Sequence, residues 1–386
     1  MNIFELKDTE EESLWTLARE SCKTFPSLMQ IYDEEFLKLL IKRRFNFNNY
    51  LLWLLVSRDD FAVKTLSDIS EFAVTLGKDD FVSHFKDKLR SPIESVFNNY
   101  LTELEFAAYY KNRGYSVELE PKNGDSEKHP DFKIVRDTFQ VFFEVKNIFW
   151  EEMMEMNKIE TLLQGELSRV KQKYVFSIHY SPKLTILHLA SLRKFVTEKL
   201  EKLTDKEIPA EFLFPNENEV LSKIKVIGKP KKLPFGYLGA VMRTEAFRIP
   251  GGRDIRRKIS QKVTQLPKDE MGVIVIAPGQ IFVREEHVLE ALYGDETAII
   301  NLEDCSATSE RIHNGTYNPE SNRRLSAVIF FKRQWNAQKG IFEKNRAVFH
   351  NPFANRRLAY DFFQDSGVRQ FIPIEDNSGI RMTWKE

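Results

Sequence analysis

The segment FQVFFEVKNIF, residues 139–149, is dominated by apolar and aromatic residues and reads as a strand bound for a core, yet it carries Glu144 and Lys146. Side chains alternate faces along a strand. Val141, Phe143 and Val145 therefore share one face, and Phe142, Glu144, Lys146 and Ile148 share the other. An unpaired charge buried on such a face is strongly destabilising. A chain that places an acid and a base two residues apart among large apolar groups must compensate them, by mutual pairing, by a metal ion, or by both.

The neighbouring sequence narrows the choice. Asp131 follows Pro130 where a preceding strand, PDFKIVRD, should begin. A hairpin turning near Arg136–Thr138 brings Asp131 close to Glu144. Two clustered carboxylates repel each other without a cation between them, and hard oxygen ligands suit Mg²⁺ or Mn²⁺. Lys146 then points at a metal-bound water or at an anion under attack. Upstream, Ser91, Pro92 and Glu94 form a helix start, and the predicted helix runs through NNYLTELEFAAYYKNR to Gly114. The strand candidate YSVELEP follows, then a polar turn, KNGDSEKH, before the hairpin.

These residues resemble the PD-(D/E)xK nuclease superfamily, which includes restriction endonucleases and archaeal Holliday-junction resolvases. Pro130-Asp131 and Glu144-Val145-Lys146 match its signature, and Glu103, Phe106, Ala107, Tyr110, Gly114 and Tyr115 match its upstream helix. Glu105 is the weaker alternative to Glu103, on a different side of the helix. The matching stretch spans about residues 92–150, a minority of the chain. The resemblance implies a four-stranded mixed sheet flanked by helices and a metal-dependent phosphodiesterase. It implies that Asp131, Glu144 and the Val145 carbonyl ligate the metal, that Glu103 helps hold a second metal or a water, and that Lys146 orients the water or stabilises the transition state. A second echo lies in RRKISQKVTQLPKDEMGVIVIAP. Its helix has a buried stripe of Ile255, Ile259, Val263 and Leu266, with Lys258, Lys262 and Gln265 along one edge. If this helix belongs to the core, the preceding hundred or so residues contain an insertion.

The expected fold class is therefore α/β: a restriction-endonuclease-like mixed sheet flanked by helices, preceded by an all-helical N-terminal domain. The expected boundaries are 1–91 for the helical domain, 92–300 for the nuclease-like core with an insertion around 151–250, and 301–386 for a C-terminal strand and extension packing on the core. Helical spacing in DEEFLKLLIKRRF and NNYLLWLLVSRDDFAVKTL supports the first of these. The stretch containing NPFANRRL and YDFFQDSG reads as less regular.

Net charge is zero, with 57 basic and 57 acidic residues, so any polyanion site must come from local clustering. Between Ser222 and Lys262 there are 12 Lys or Arg against Glu245 and Asp254, whereas residues 1–80 hold 15 acids and 10 bases. The expected nucleic-acid contacts are Lys229, Lys231, Lys232, Arg256, Arg257, Lys258 and Lys262. Cys22 and Cys305 form no CxxC pattern, which argues against a zinc ribbon and fits a reducing compartment. The acidic N-terminus lacks the apolar run of a signal peptide, no stretch is long and apolar enough to span a membrane, and no GxxxxGK[ST] appears. The expectation is a cytoplasmic Mg²⁺- or Mn²⁺-dependent deoxyribonuclease, with RNA as a further possible substrate. A protein partner could bind through the helical N-terminus. The alternative is an inactive nuclease-like fold that binds nucleic acid or protein.

Overall fold

A computed structural model of the chain describes residues 8–42, 49–122, 129–148, 159, 162–163, 166–167, 174–181, 183–215, 220–228, 238–243, 252–278, 283–294, 296–300, 307–311, 314–363, 365, 367–376 and 379–385. The chain divides into two compact units, Met1–Phe149 with Pro250–Glu386, and Trp150–Ile249.

The first unit opens with helices α1 (Asp8–Thr24), α2 (Glu34–Lys42), α3 (Tyr50–Val56), α4 (Asp60–Leu76) and α5 (Lys78–Phe85), followed by α6 (Glu94–Asn112). Helix α6 is buried almost all round, including Glu103 and Glu105. A helix of that kind needs cover on every side, and it lies between the earlier helices and a sheet. It ends at Gly114, whose φ of +82° is cheap only for glycine.

The sheet is mixed and has eight strands. Strands β1 (Ser116–Leu119), β2 (Phe132–Arg136) and β3 (Phe139–Ile148) form an antiparallel meander. Asp137, at φ +55°, turns β2 into β3, so Phe132 faces Phe143 across the hairpin. Strands β4 (Val175–Tyr180), β5 (Ala210–Pro215), β6 (Val220–Gly228) and β7 (Leu238–Arg243), with helix α7 (Leu189–Lys202), belong to the second unit, where the sheet order is β5-β6-β4-β7. Its core gathers Phe176, Ile178, Leu192, Val196 and Ile224. The first unit resumes with helix α8 (Gly252–Val263) and strand β8 (Met271–Pro278), which lies parallel to β3. Helix α9 (Glu285–Tyr293) and the small hairpin β9 (Glu296–Ile300) and β10 (Ala307–Arg311) precede β11 (Leu325–Asn336), parallel to β8. Strands β12 (Ile341–His350), β13 (Val368–Asp376) and β14 (Gly379–Lys385) complete the order β1-β2-β3-β8-β11-β12-β13-β14.

Two expectations change here. The sheet has twice the four strands that the resemblance implied, because the less regular C-terminal stretch supplies three of them. In β12 the first six residues are exposed or half-buried and the last four are buried, so no single alternation runs through it. The helices before residue 92 also share one hydrophobic core with the sheet: Leu28, Leu54, Ile69 and Phe85 cluster with Leu104, Phe143, Val275 and Ile329. They do not close a core of their own. On the opposite face, Ile255, Ile259 and Val263 of α8 pack with Phe142, Ile148, Ile274 and Ile276. Among the described residues no helix is long and apolar enough to cross a membrane.

Phe143 joins these layers, stacked on Phe132 at 4.7 Å between ring centroids and tilted against Tyr110 of α6 at 5.0 Å. Phe143→Ala should lower stability by about 3–5 kcal/mol in urea denaturation. Hydrogen exchange near the transition should lose protection in α4, α6, β3 and β8 together; helices that stayed protected after β3 opened would show a separate helical core.

Candidate functional site

Asp131 sits just outside β2. Its N–H donates to the Phe143 carbonyl at 3.0 Å, and its carbonyl accepts the Glu120 N–H at 2.9 Å. Pinned in this way, its carboxylate reaches over β3, where Oδ2 accepts the Val145 N–H at 2.6 Å. Glu144 projects from β3 on the α8 face and is fully buried. Lys262, on the last turn of α8, donates to Glu144 Oε2 at 2.6 Å. The buried stripe Ile255, Ile259 and Val263 fixes which edge of α8 faces β3, and so aims Lys262 inward. Lys146 is half-buried on the same strand face as Glu144, and no hydrogen bond or ion pair ties its amine to another described residue.

Glu103 approaches from α6 and is also fully buried. Its Oε1 lies 2.6 Å from His84 Nε2 and 3.6 Å from Lys88 Nζ. Lys88 also donates to Glu120 Oε1 at 2.9 Å and stands 2.7 Å from His84 Nε2. Sequence reading missed His84 and Lys88, because seven scattered histidines show no ligand spacing and the pair comes from a different helical segment. Their spacing of four residues is the only available signal, since it lets both face one point.

The electrostatics bind these groups into one cluster. Burial, followed by the charge of Asp131, pushes the Glu144 carboxyl up to about 9 against the pull of Lys262. Burial raises Glu103 too; the His84 contact opposes this, and Asp131 adds to it. Burial alone would lower Lys262, but Asp131, Glu144 and Glu103 together hold its ammonium above the usual lysine range. Asp131 is thus the acid that both other carboxyls feel. Glu144 Oε1 and Glu103 Oε2 are buried with no hydrogen-bond partner among the described residues, and such oxygens are costly.

Glu105 does not join the cluster. It lies 2.6 Å from Lys344 of β12, at an angle that makes no hydrogen bond, and serves as an ion-pair partner on the far side of α6. The other basic residues separate. Lys262 belongs to the carboxylate cluster. Arg256 donates to the Glu290 carbonyl at 3.1 Å and ties α8 to α9. Arg257 is exposed and Lys258 half-buried. Lys229, Lys231 and Lys232 lie outside the described residues. Lys223 and Lys225 both pair with Glu211 within the second unit.

The donor set is chemically suited to a hard cation: three carboxylates, two with a buried oxygen left over. Among the described residues no three His, Cys, Asp or Glu side chains are arranged to hold a metal ion as they stand; Lys262 supplies the counter-charge to Glu144. Comparison with family models, with curated proteins and with solved structures found no match.

The raised Glu144 carboxyl has a consequence for stability. The unfolded chain releases this proton near 4.5, whereas the folded chain keeps it to about 9. The native state therefore binds more protons across that window, so this group's stabilising contribution is complete below 4.5 and is lost as pH rises toward 9. In chelator, Glu144→Gln should flatten this decline between pH 5 and 9. An identical pH profile in the variant, from urea midpoints, would rule out Glu144 as its source.

Proposed function

We propose that the chain is a metal-dependent nuclease of the PD-(D/E)xK type, with a restriction-endonuclease-like core, that hydrolyses phosphodiester bonds of DNA. The observation that carries this reading is that Asp131 acts on both Glu103 and Glu144, each of which has a buried carboxylate oxygen left unpartnered, with Lys262 bonded to Glu144 and Lys146 on the same strand face. An acid cluster buried at such cost argues for a bound cation.

Mg²⁺ or Mn²⁺ suits these ligands, and when bound it would lower the pKa of a water and neutralise charge on the phosphate. Asp131, Glu144 and the Val145 carbonyl would hold it, with Glu103 behind them. The protein's own groups do the rest. The Val145 N–H fixes Asp131, Lys262 orients Glu144, and His84 with Lys88 holds Glu103. Lys146 supplies a positive charge where negative charge grows on the attacked phosphate. Arg257, exposed on α8, offers a backbone contact that carries no sequence information. Lys229, Lys231 and Lys232 belong to the same basic stretch of sequence. RNA would meet the same chemistry. A nuclease-like fold acting only as a binding module is favoured by one observation, the direct pairing of Lys262 with Glu144, which compensates the buried acid without a metal.

The test is cleavage of plasmid, linear and single-stranded DNA in Mg²⁺, Mn²⁺ or EDTA. Wild-type protein should cut only with the ion. Lys146→Ala should lose roughly 10²–10³-fold in rate, in the range found for removing one charge-stabilising donor, while keeping most DNA affinity. Asp131→Ala should lose both cleavage and ion binding. Cleavage that survives EDTA, or equal rates in wild type and Lys146→Ala, would overturn the assignment; no cleavage with intact DNA binding would favour the binding module.

A further inference from the structure

Strand β3 has a strand on both sides only as far as Phe143. Beyond it β8 continues on one side, with Lys146 opposite Ile276 and Asn147 opposite Ala277, but β2 has ended at Phe132. Among the described residues no strand takes its place. Along a strand, the N–H and C=O groups of alternate residues face the same neighbour. The Phe143 carbonyl accepts the Asp131 N–H from the β2 side, so the N–H groups of Val145 and Asn147 face that side too. Both residues are buried, and a buried N–H without an acceptor is costly. Side chains replace the missing strand. Asp131 Oδ2 accepts the Val145 N–H at 2.6 Å, and Asn99 Oδ1 accepts the Asn147 N–H at 2.9 Å.

Lys146 stands between these two clamps. Its amine makes no hydrogen bond or ion pair with another described residue. A lysine held by its own ion pair would keep its place through a small backbone shift; Lys146 takes its place from the strand. On one side the parallel ladder with β8 fixes that strand, and on the other Asp131 and Asn99 do. Building on the nuclease reading, we propose that Asn99 is a positioning residue: by holding the Asn147 N–H it fixes the peptide that carries Lys146, and so the place of the Lys146 charge against the attacked phosphate.

Asn99 lies on α6 four residues before Glu103, and so on the same side of the helix. One helix therefore sets both the acid and the clamp. An uncharged acceptor suits this task. A further carboxylate on the same edge would add to the repulsion that Asp131 already exerts on Glu103 and Glu144. The consequence is kinetic, because misplacing a reacting group by about 1 Å can cost on the order of 10²-fold in rate.

The experiment pairs a metal-free measurement with a kinetic one. In EDTA, hydrogen exchange resolved to single amides should quicken at Asn147 in Asn99→Leu and stay as in wild type at Phe143, with far-UV circular dichroism establishing the fold. In Mg²⁺, Asn99→Leu should lower kcat by roughly 10–10²-fold and leave KM within about twofold. In a Lys146→Ala background the same substitution should change kcat by less than about twofold, since the charge it positions is gone. Unchanged exchange at Asn147, quickening that spreads over all of β3, an unchanged kcat, or an equal loss in both backgrounds would each overturn the inference and leave the nuclease reading standing. Wild type that does not cleave, or Lys146→Ala that cleaves as fast as wild type, would remove both. Should Asn99→Leu not fold, Asn99→Ala takes its place under the same criteria.

Discussion

The contact between Lys262 and Glu144 is what the rest of the first unit is built to permit. A carboxylate in the middle of an apolar strand is tolerated only when something answers its charge. The answer comes from a helix that packs on the same sheet face. The apolar stripe of α8 sets the helix's rotation, the rotation aims Lys262, and Lys262 lets Glu144 remain in a layer otherwise made of Phe142, Ile148, Ile274 and Ile276. On the other face of the sheet, Glu103 meets a matching arrangement with His84 and Lys88. Each acid is held by a cation or ring from an element that also contributes core residues, so packing and electrostatics cannot be altered separately.

Much of this was legible in the sequence, for identifiable reasons. Strand β3 announces itself because six apolar residues in ten, three of them Phe, leave two charges conspicuous. The hairpin could be read because its turn is short and the apolar residues on both sides are dense, and that hairpin brings Asp131 to Glu144. Helix α8 was legible as an amphipathic stripe, and Lys262 was on the correct edge, though the sequence suggested backbone contacts for it as well. Less could be seen where a residue's role depends on distant partners. His84, on α5, and Lys88, in the turn after it, resemble ordinary surface residues until α6 is placed beside them. Glu105 and Glu103, two apart, are told apart by which neighbour each meets: Lys344 of β12 or His84. The C-terminal strands were obscured by mixed burial, since β12 passes from solvent into the core along its own length.

The helical N-terminus also takes on a different meaning. Its sequence was read as a helical domain of its own. The structure uses it as cover. Helix α6 is apolar on too many sides to be covered by the sheet alone, and α3, α4 and α5 close it. In doing so, the α5 segment brings His84 to Glu103.

The two halves of the central ion pair stand 118 residues apart in the chain, and the whole second unit lies between them. Strand β3 leaves the ribosome well before α8, and β8, its parallel neighbour, comes later still. During synthesis the acid therefore exists for an interval with neither its counter-ion nor the strand that buries it, while the inserted unit can reach its own core first. Closing such a span has an entropy cost that grows only slowly with length, so the long detour weakens the finished pair little. Its effect is on timing: the carboxylate cluster is completed only after nearly seven-tenths of the polypeptide has been made, and a chain cut short before α8 carries the acids without the lysine that organises them.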